Sequence, residues 1–297
     1  MTKGHGYPLW LPDPFSTLPP AYLRCGTQVG DLGYLTDDGG FAYLFNVCKD
    51  ARDPINLNRV PPDFVPVTGI PDPGIQGRLE MHDKNSVITT SAVEQKSIGF
   101  SVSAEAPSRA AILVLPDGGE RYDSEHPLLL QEYAISNAHS WYKYFNGPGQ
   151  GRQIRNGMLY LVTGCDKCHS WGNACYLHPT KSTSASLKFV ATGVATLTGT
   201  ACYRWEVQAG VHKRSHHRDM TPGATANQTI FLRGYSISVR EDSSLRVKLR
   251  ITNPVKTSNK NKPQRVGSLV PYSAKQITTG RSGTAWQVSP LVYFYES

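Results

Sequence analysis

The chain has 297 residues, enough to bury a sizeable core as one large domain or two smaller ones. Lys and Arg exceed Asp and Glu by 31 to 23, so the formal net charge of +8 favours partners that carry phosphate, either nucleic acid or anionic lipid. The first residues lack the apolar core of a secretory signal, and no window holds about 18 uninterrupted apolar residues. These features argue against a secreted, disulfide-rich protein and predict a cytoplasmic protein whose six cysteines are reduced thiols.

Short runs rich in Val, Thr, Tyr and Ile alternate with Gly- and Pro-rich stretches. This pattern predicts an α+β protein with a large twisted, mainly antiparallel β-sheet, one packed helix and long loops. A first hairpin is predicted over residues 32–35 and 41–48, because the Asp and Gly residues at 37–40 supply a turn between them. Residues 53–77 are rich in proline and have no sustained period, so they are predicted to form a surface loop.

The segment 78–106 alternates more regularly than any other part of the chain, which predicts two strands. Its polar positions are rich in Ser and Thr. Such a composition suits a solvated antiparallel edge, and it also suits strands that later face lipid on one side.

One helix is predicted between Ser124, an N-cap residue, and Gly147, a stop signal, with Pro127 in its first turn. Its apolar positions are predicted to share one face: Leu128, Ile135, Ala138, Tyr142 and Phe145. We therefore expect this helix to pack on the core.

The centre of the chain is a nearly continuous apolar run at 158–163, as expected of a strand that is covered on both faces. A tight turn that carries cysteines is predicted to follow it. The spacing C-x2-C-x6-C-x2-H is formed there by Cys165, Cys168, Cys175 and His178.

Several interpretations of this pattern stay open. The ligand types and the paired x2 spacings are those of a structural zinc site, although the x6 gap is short and Trp171-Gly172 within it suits hairpin packing. The C-x2-C-H match from Cys165 to His169 also occurs in covalent haem attachment, and C-x2-C occurs in thioredoxin-like proteins. Neither an export signal nor a βαβ pattern accompanies them. No cofactor is therefore predicted, and zinc is the one that the pattern admits.

Two basic segments follow a small-residue-rich, strand-prone stretch at 186–207. Residues 210–227 have no apolar period and are predicted to form an exposed loop. Residues 245–251 alternate strictly and predict a strand with a cationic face. The candidate lipid-binding residues are the cations of these two segments: Lys213, Arg214, Arg218, Arg246, Lys248 and Arg250. Each is worth about 1 kcal/mol near anionic headgroups.

Domain boundaries are predicted from composition. Residues 1–252 are expected to form the main β-rich domain, 253–268 a basic linker, and 269–297 a C-terminal tail packed on the main domain.

No nucleophile elbow, Walker loop, dinucleotide fingerprint or H-E-x-x-H motif is present, so the chain is not predicted to be an enzyme. Its aromatic residues are of the kind that line sugar sites, but in the sequence they are spread out rather than clustered with arginines.

Three strings carry a resemblance to known proteins: NGMLYLVTGCDKCHSWGNACY, VGDLGYLTDDGGFAYLFNV and AHSWYKYFN. They resemble a large uncharacterised fungal protein family, mostly from mushrooms, over about residues 5–240. The order of segments also resembles the gasdermin pore-forming domain, with a strand pair and basic loop (41–49), a Ser/Thr-rich alternating segment (87–102), a helix, the LYLVT strand (159–163), a second small-residue-rich segment and a closing strand (229–239).

The gasdermin resemblance implies a cytoplasmic, membrane-acting protein that is stored soluble, binds anionic lipid and forms a pore as a homo-oligomer on the membrane. The cationic segments suit that function. An alternative is a zinc-stabilised nucleic-acid or protein binding module that uses the same cations on phosphates. A third hypothesis is a carbohydrate-binding β protein.

Overall fold

A computed structural model of the chain describes residues 4–57, 59–70, 74–89, 94–98, 101–106, 109–177, 185–195, 200–207, 211–217, 224–239 and 247–251. The predicted linker and tail, 253–268 and 269–297, lie outside the described residues. The same holds for His178, Arg218 and Arg246.

The helices are α1 (Pro20–Cys25) and α2 (Pro127–Asn146). The strands of the first half are β1 (Tyr7–Pro8), β2 (Asp31–Leu35), β3 (Phe41–Asn46), β4 (Ile75–His82), β5 (Ser86–Thr89), β6 (Glu94–Ile98), β7 (Ser101–Ala106), β8 (Arg109–Leu115) and β9 (Gly119–Ser124). Those of the second half are β10 (Leu159–Cys168), β11 (Trp171–Leu177), β12 (Ala185–Ala195), β13 (Thr200–Val207), β14 (Val211–His216), β15 (Gln228–Val239) and β16 (Val247–Ile251). The described strands pair antiparallel throughout, which confirms the predicted α+β class.

The largest sheet, here named the body sheet, has the order β1-β15-β10-β2-β3, with β16 on β15 and the β4–β9 pair on β10. The central position predicted for the LYLVT run is confirmed, since β10 pairs along both of its edges. Leu159 and Leu161 pack in the cluster under α2, whereas Tyr160 and Val162 pack on the opposite side with Tyr22 of α1. A run covered on both faces is therefore continuously apolar.

The predicted helix is confirmed as α2, which begins at Pro127 and is followed by Gly147. The predicted N-cap is wrong, because the residue at that position is His126 and Ser124 is the last residue of β9. Its buried face was predicted only in part, because Leu128 and Ile135 are 61% and 44% exposed. The buried positions follow the four-residue spacing of Leu130, Ala134 and Ala138 and continue through Trp141, Tyr142 and Phe145. Leu128 lies two residues before Leu130, about 200° around the helix axis, and is therefore on the solvent-facing side of α2. The short helix α1 was not predicted.

Two smaller sheets stand beyond the body sheet. The inner sheet has the order β14-β11-β8-β5, and the outer sheet has the order β13-β12-β7-β6. Each inner strand is next in sequence to the outer strand at the same position in the order. The two sheets are therefore built from two long hairpins, residues 86–115 and 171–216, each of which contributes two strands to both sheets.

The basic segment after residue 210 was predicted to be a loop, and the structure corrects this. Residues Val211–His216 form β14, paired with β11 at the edge of the inner sheet. The apolar period that would have revealed a strand is absent because positions 212–215 are exposed. The cysteine segment is likewise not a turn: Cys165 and Cys168 lie within β10, and Cys175 lies within β11.

Candidate functional site

Registered neighbours in the outer sheet alternate in chemical character. The apolar sets are Leu187 with Ala104 and Val207, and Phe189 with Val102 and Trp205. The polar set between them is Lys188 with Ser103 and Glu206. Because successive residues of a strand point to opposite faces, this register gives strands β7, β12 and β13 a mainly apolar and a mainly polar face. Edge strand β6 does not follow it, since Gln95 and Ser97 are registered with Ala104 and Val102. The Ser/Thr-rich alternation seen in the sequence is thus in register across strands from both hairpins.

The apolar face of the outer sheet is folded back against the inner sheet. Phe189 and Trp205 are 2% and 6% exposed, with ring centroids 4.7 Å apart, and they share a cluster with Ile112, Val114 and Ala174 of the inner sheet. A Cβ on Gly172 would lie 2.4 Å from the Phe189 ring, so only glycine permits this contact. The hairpins therefore cover their own apolar surface.

Hydrogen bonds from side chains to backbone carbonyls also join the two layers at one edge. The Trp205 indole donates to the Arg214 carbonyl at 3.1 Å, and Lys213 Nζ donates to the Trp205 carbonyl at 3.3 Å. Strand β13 therefore lies over β14, the strand that follows it in the chain. These contacts hold the outer layer in place without engaging the Arg214 guanidinium, which is exposed.

The opposite face of the outer sheet is charged and exposed. Arg204 and Lys188 contact Glu206 at 3.0 and 3.7 Å. The hydrogen bond from Arg204 is the main cause that lowers the pKa of Glu206, and the nearby Lys188 adds to it. This face carries charge of both signs, in contrast to the apolar face that packs on the inner sheet.

A buried ionic cluster lies where the hairpins join the body sheet. Body strands β4 and β10 run directly into inner strands β5 and β11, and inner strands β8 and β14 lead back to β9 and β15. Each of these four body strands contributes one side chain, and the N-terminal segment adds a fifth: His82, Arg121, Asp166, Arg233 and His5, here named the junction cluster. The cluster therefore ties together, at one point, the four body strands that lead into and out of the hairpins.

Asp166 is the centre of the junction cluster and is fully buried. Arg121 donates from Nε and a terminal nitrogen to its two oxygens at 2.8 and 2.9 Å, and Arg233 donates at 2.6 Å. His82 Nε2 lies 3.0 Å from Oδ2. Burial raises the pKa of Asp166, but the neighbouring His5, the hydrogen bonds from His82 and Arg121 and the charge of Arg233 outweigh burial and hold that pKa well below its usual range. Asp166 is therefore a permanent carboxylate.

The junction cluster also has atoms of the types that bind metals. One ligand atom each from His5, His82 and Asp166 lie within 4.8 Å of one another. However, the two guanidiniums already occupy both oxygens of Asp166, so a divalent cation would add charge to a site that is already compensated. The arrangement fits a buried salt-bridge network better than a metal centre.

The predicted zinc ligands are not brought together. Cys165 packs in the cluster on the α1 side of the body sheet, whereas Cys168 packs with Leu113 and Trp171 in another cluster. Among the residues that the structure describes, the three cysteines do not form a group of close ligand atoms. Burial raises the pKa of both Cys165 and Cys175 to about 11, so they are neutral thiols. The geometry therefore favours the packing interpretation over zinc.

The four predicted lipid-binding cations that the structure describes fall in two sheets. Lys213 and Arg214 are exposed on β14 of the inner sheet. Positions 248 and 250 belong to β16 and pair with Ser238 and Ser236 of the body sheet. Only the first pair belongs to the hairpins.

The junction cluster has no motif that sequence reasoning could recognise, because its members are separated by up to 228 positions from His5 to Arg233. One local signal was present: Asp166 is a charge inside a strand that is otherwise buried. A buried charge requires partners, which predicts a polar network without identifying it.

Comparison with known proteins adds no assignment. No protein-family model matches the chain, and no curated protein matches it either. In the described part of the chain, neither helix has the length and apolarity needed to cross a membrane.

Proposed function

We propose that the protein is a membrane-acting, gasdermin-like pore-forming protein that recognises anionic lipid from the cytoplasmic side. One observation supports the proposal: outer strands β7, β12 and β13, from two neighbouring hairpins, have matched apolar and polar registers, and Phe189 and Trp205 on the apolar side are covered by the inner sheet. A pore strand needs one face for lipid and one for water. The folded-back arrangement keeps the first of these faces out of water until a membrane is reached.

Insertion requires the outer sheet to swing away from the inner sheet. Strand β12 has 11 residues, the length of one crossing, which takes about 9–11 residues. Outer strands β6 and β7 have 5 and 6 residues, and they reach that length only when joined to inner strands β5 and β8. Each hairpin therefore has to extend as a whole. In this mechanism the junction cluster holds the bases of all four strands on a body that does not unfold.

Oligomerisation follows from the sheet edges. Strands β5 and β14 end the inner sheet, and β6 and β13 end the outer sheet, within the part of the chain that is described. Unpaired strand edges are not tolerated in hydrocarbon, because each exposed backbone group costs several kcal/mol. Neighbouring copies of the chain are the partners that would pair these edges, so the proposed pore is a homo-oligomer.

Dye release from lipid vesicles tests the proposal. Full-length protein is added to vesicles of phosphatidylcholine alone and to vesicles that also contain phosphatidylserine. We expect release from the anionic vesicles, with a loss of release at high salt because the attraction is screened. Absence of release from both compositions over a range of protein concentrations would refute the pore-forming function. Release from both compositions to the same extent would refute anionic recognition.

Arg214 is expected to contribute to membrane recruitment. Arg214→Glu reverses an exposed charge on β14 and should weaken binding to phosphatidylserine vesicles about fivefold or more, since one cation near the surface is worth about 1 kcal/mol. Cosedimentation with vesicles gives the affinity. Lys143→Glu, on the exposed side of α2, is the matched control. Equal weakening by both variants would show that net charge, and not the position of Arg214, governs binding.

A further inference from the structure

A groove of about 920 Å³ opens on the body, away from the hairpins. Its walls are the β2–β3 hairpin on one side and the end of α2 with the following loop on the other. Tyr34, which lines it, pairs with Leu159 at the first residue of β10, whereas the hairpins continue from Cys168 at the last residue. The groove and the proposed membrane-inserting region are therefore separate.

The structure brings together aromatic and arginine side chains that are distant in the sequence. Aromatic groups from three segments line the groove, and so do two arginines: Phe15, Tyr34, Tyr144, Arg59 and Arg152. Aromatic residues that are spread out in the sequence therefore line one groove together with two arginines. Rings beside planar polar groups suit a ligand that has apolar and hydroxyl-bearing faces.

Hydrogen bonds hold both walls of the groove in position. In the β2–β3 turn, the Gly40 amide donates to Thr36 Oγ1 at 2.9 Å, and Gly39 adopts a positive φ. On the other wall, Asn146 Nδ2 donates to the Ile154 carbonyl at 2.9 Å, and Asn146 Oδ1 accepts from the Ile154 amide at 2.7 Å. These contacts fix the loop that carries Gln150 and Arg152. A preformed groove binds without the loss of entropy that ordering would bring.

Several polar side-chain groups in the groove make no hydrogen bond or ion pair to the residues that the structure describes. The side chains of Arg59 and Arg152 make neither an ion pair nor a hydrogen bond there, and the Tyr34 hydroxyl makes no hydrogen bond. Asp37 uses Oδ1 for Arg155 and leaves Oδ2 open to accept. The groove therefore offers both donors and acceptors to a ligand.

The charges of the groove indicate a neutral ligand. Asp37 and Asp38 line it together with Arg59 and Arg152, and Arg155 pairs with Asp37, so carboxylates and guanidiniums are interspersed there. A phosphate or sulfate group would meet the two carboxylates, and a cation would meet the two guanidiniums. Hydroxyl groups, in contrast, donate to carboxylates and accept from guanidiniums at the same time.

We propose that this groove binds a neutral carbohydrate, with sugar rings against Tyr34 and Tyr144 and with sugar hydroxyls bonded to Asp37 and Arg152. The apolar face of a sugar ring covers an aromatic ring, and its rim of hydroxyls uses acceptors and donors of the kinds found here. The site is independent of the proposed pore, because none of its residues belongs to the hairpins or the junction cluster.

The test is binding of three neutral trisaccharides, cellotriose, chitotriose and mannotriose, to the full chain. Saturation-transfer NMR detects binding and calorimetry measures the affinity; inorganic phosphate is titrated in parallel as the anionic probe. We expect at least one trisaccharide to bind, and Tyr144→Ala and Arg152→Ala each to weaken it by about tenfold or more. Lys143→Ala removes a neighbouring exposed cation outside the groove and should leave the affinity unchanged.

Three outcomes would overturn the carbohydrate site. These are no binding of any trisaccharide, binding that Tyr144→Ala and Arg152→Ala leave intact, and binding of phosphate alone. Thermal unfolding of each variant verifies that a loss of binding does not arise from misfolding. Vesicle leakage is not a readout here, so the carbohydrate site and the pore-forming function can fail separately.

Discussion

Replacement of Asp166 by Asn is expected to lower the free energy of unfolding by about 3–5 kcal/mol, the usual effect of removing one partner from a buried ion pair. Asp166 is fully buried between Arg121 and Arg233, whose side chains are 12% and 3% exposed. Asn keeps the shape of the side chain but removes its charge, so Arg121 would lose its carboxylate partner and Arg233 would keep only Asp123. Urea denaturation followed by circular dichroism measures the change.

Asp37→Asn is the matched control for this variant. It makes the same substitution in an ion pair at the surface, where Asp37 and Arg155 lie 2.8 Å apart and are both exposed. Exposed pairs contribute between about 0 and 1 kcal/mol, so little change is expected. If the two variants lost equal stability, the junction cluster would not be the anchor of the hairpins that we describe.

The Asp166 carboxylate also determines how the stability of the folded protein changes with pH. The pKa of Asp166 in the folded protein lies below the usual value, because its hydrogen bonds and the nearby guanidiniums outweigh burial. The charged form therefore contributes stability above about pH 4, and this contribution disappears as the pH falls towards the folded-state pKa. Stability of the wild type should fall more steeply in acid than that of Asp166→Asn, as measured by melting temperature against pH.

Ala104→Arg is expected to abolish vesicle leakage while leaving binding to the vesicles intact. Position 104 is registered with Leu187 and belongs to the apolar set of the outer sheet. In the inserted state that we propose, this set faces lipid, where Arg near the middle of the bilayer costs about 2–4 kcal/mol in every subunit. Leakage and cosedimentation, measured on the same preparation, separate insertion from binding.

Glu105→Arg is the control for Ala104→Arg. It places the same side chain one residue further along the strand, on the polar set, at a position registered with Glu94. We expect leakage close to that of the wild type, because this face would line the aqueous side of the pore. Circular dichroism verifies that both variants fold. Equal leakage from the two variants would show that the register does not decide which face meets lipid.

Local patterns in the sequence determined several elements correctly. The apolar run of β10, the turn residues between β2 and β3, and the Pro127 to Gly147 interval of α2 each predict the element that forms. The alternation in 78–106 likewise predicts strands, but two were predicted and four are observed, β4 to β7. These predictions succeed because periodicity, turn chemistry and the Pro and Gly signals at helix ends act between residues close in the chain.

Other features were decided only by the tertiary structure. Asp166 signals a polar network by its charge, but nothing near it in the sequence identifies Arg121 or Arg233, which strand pairing supplies. The packing of the outer sheet on the inner sheet likewise depends on the contact between Gly172 and the Phe189 ring, which belong to different sheets. The groove is formed by Tyr34 and Tyr144 from separate elements. In each case the determining interaction joins residues far apart in the chain, and local periodicity carries no information about such pairs.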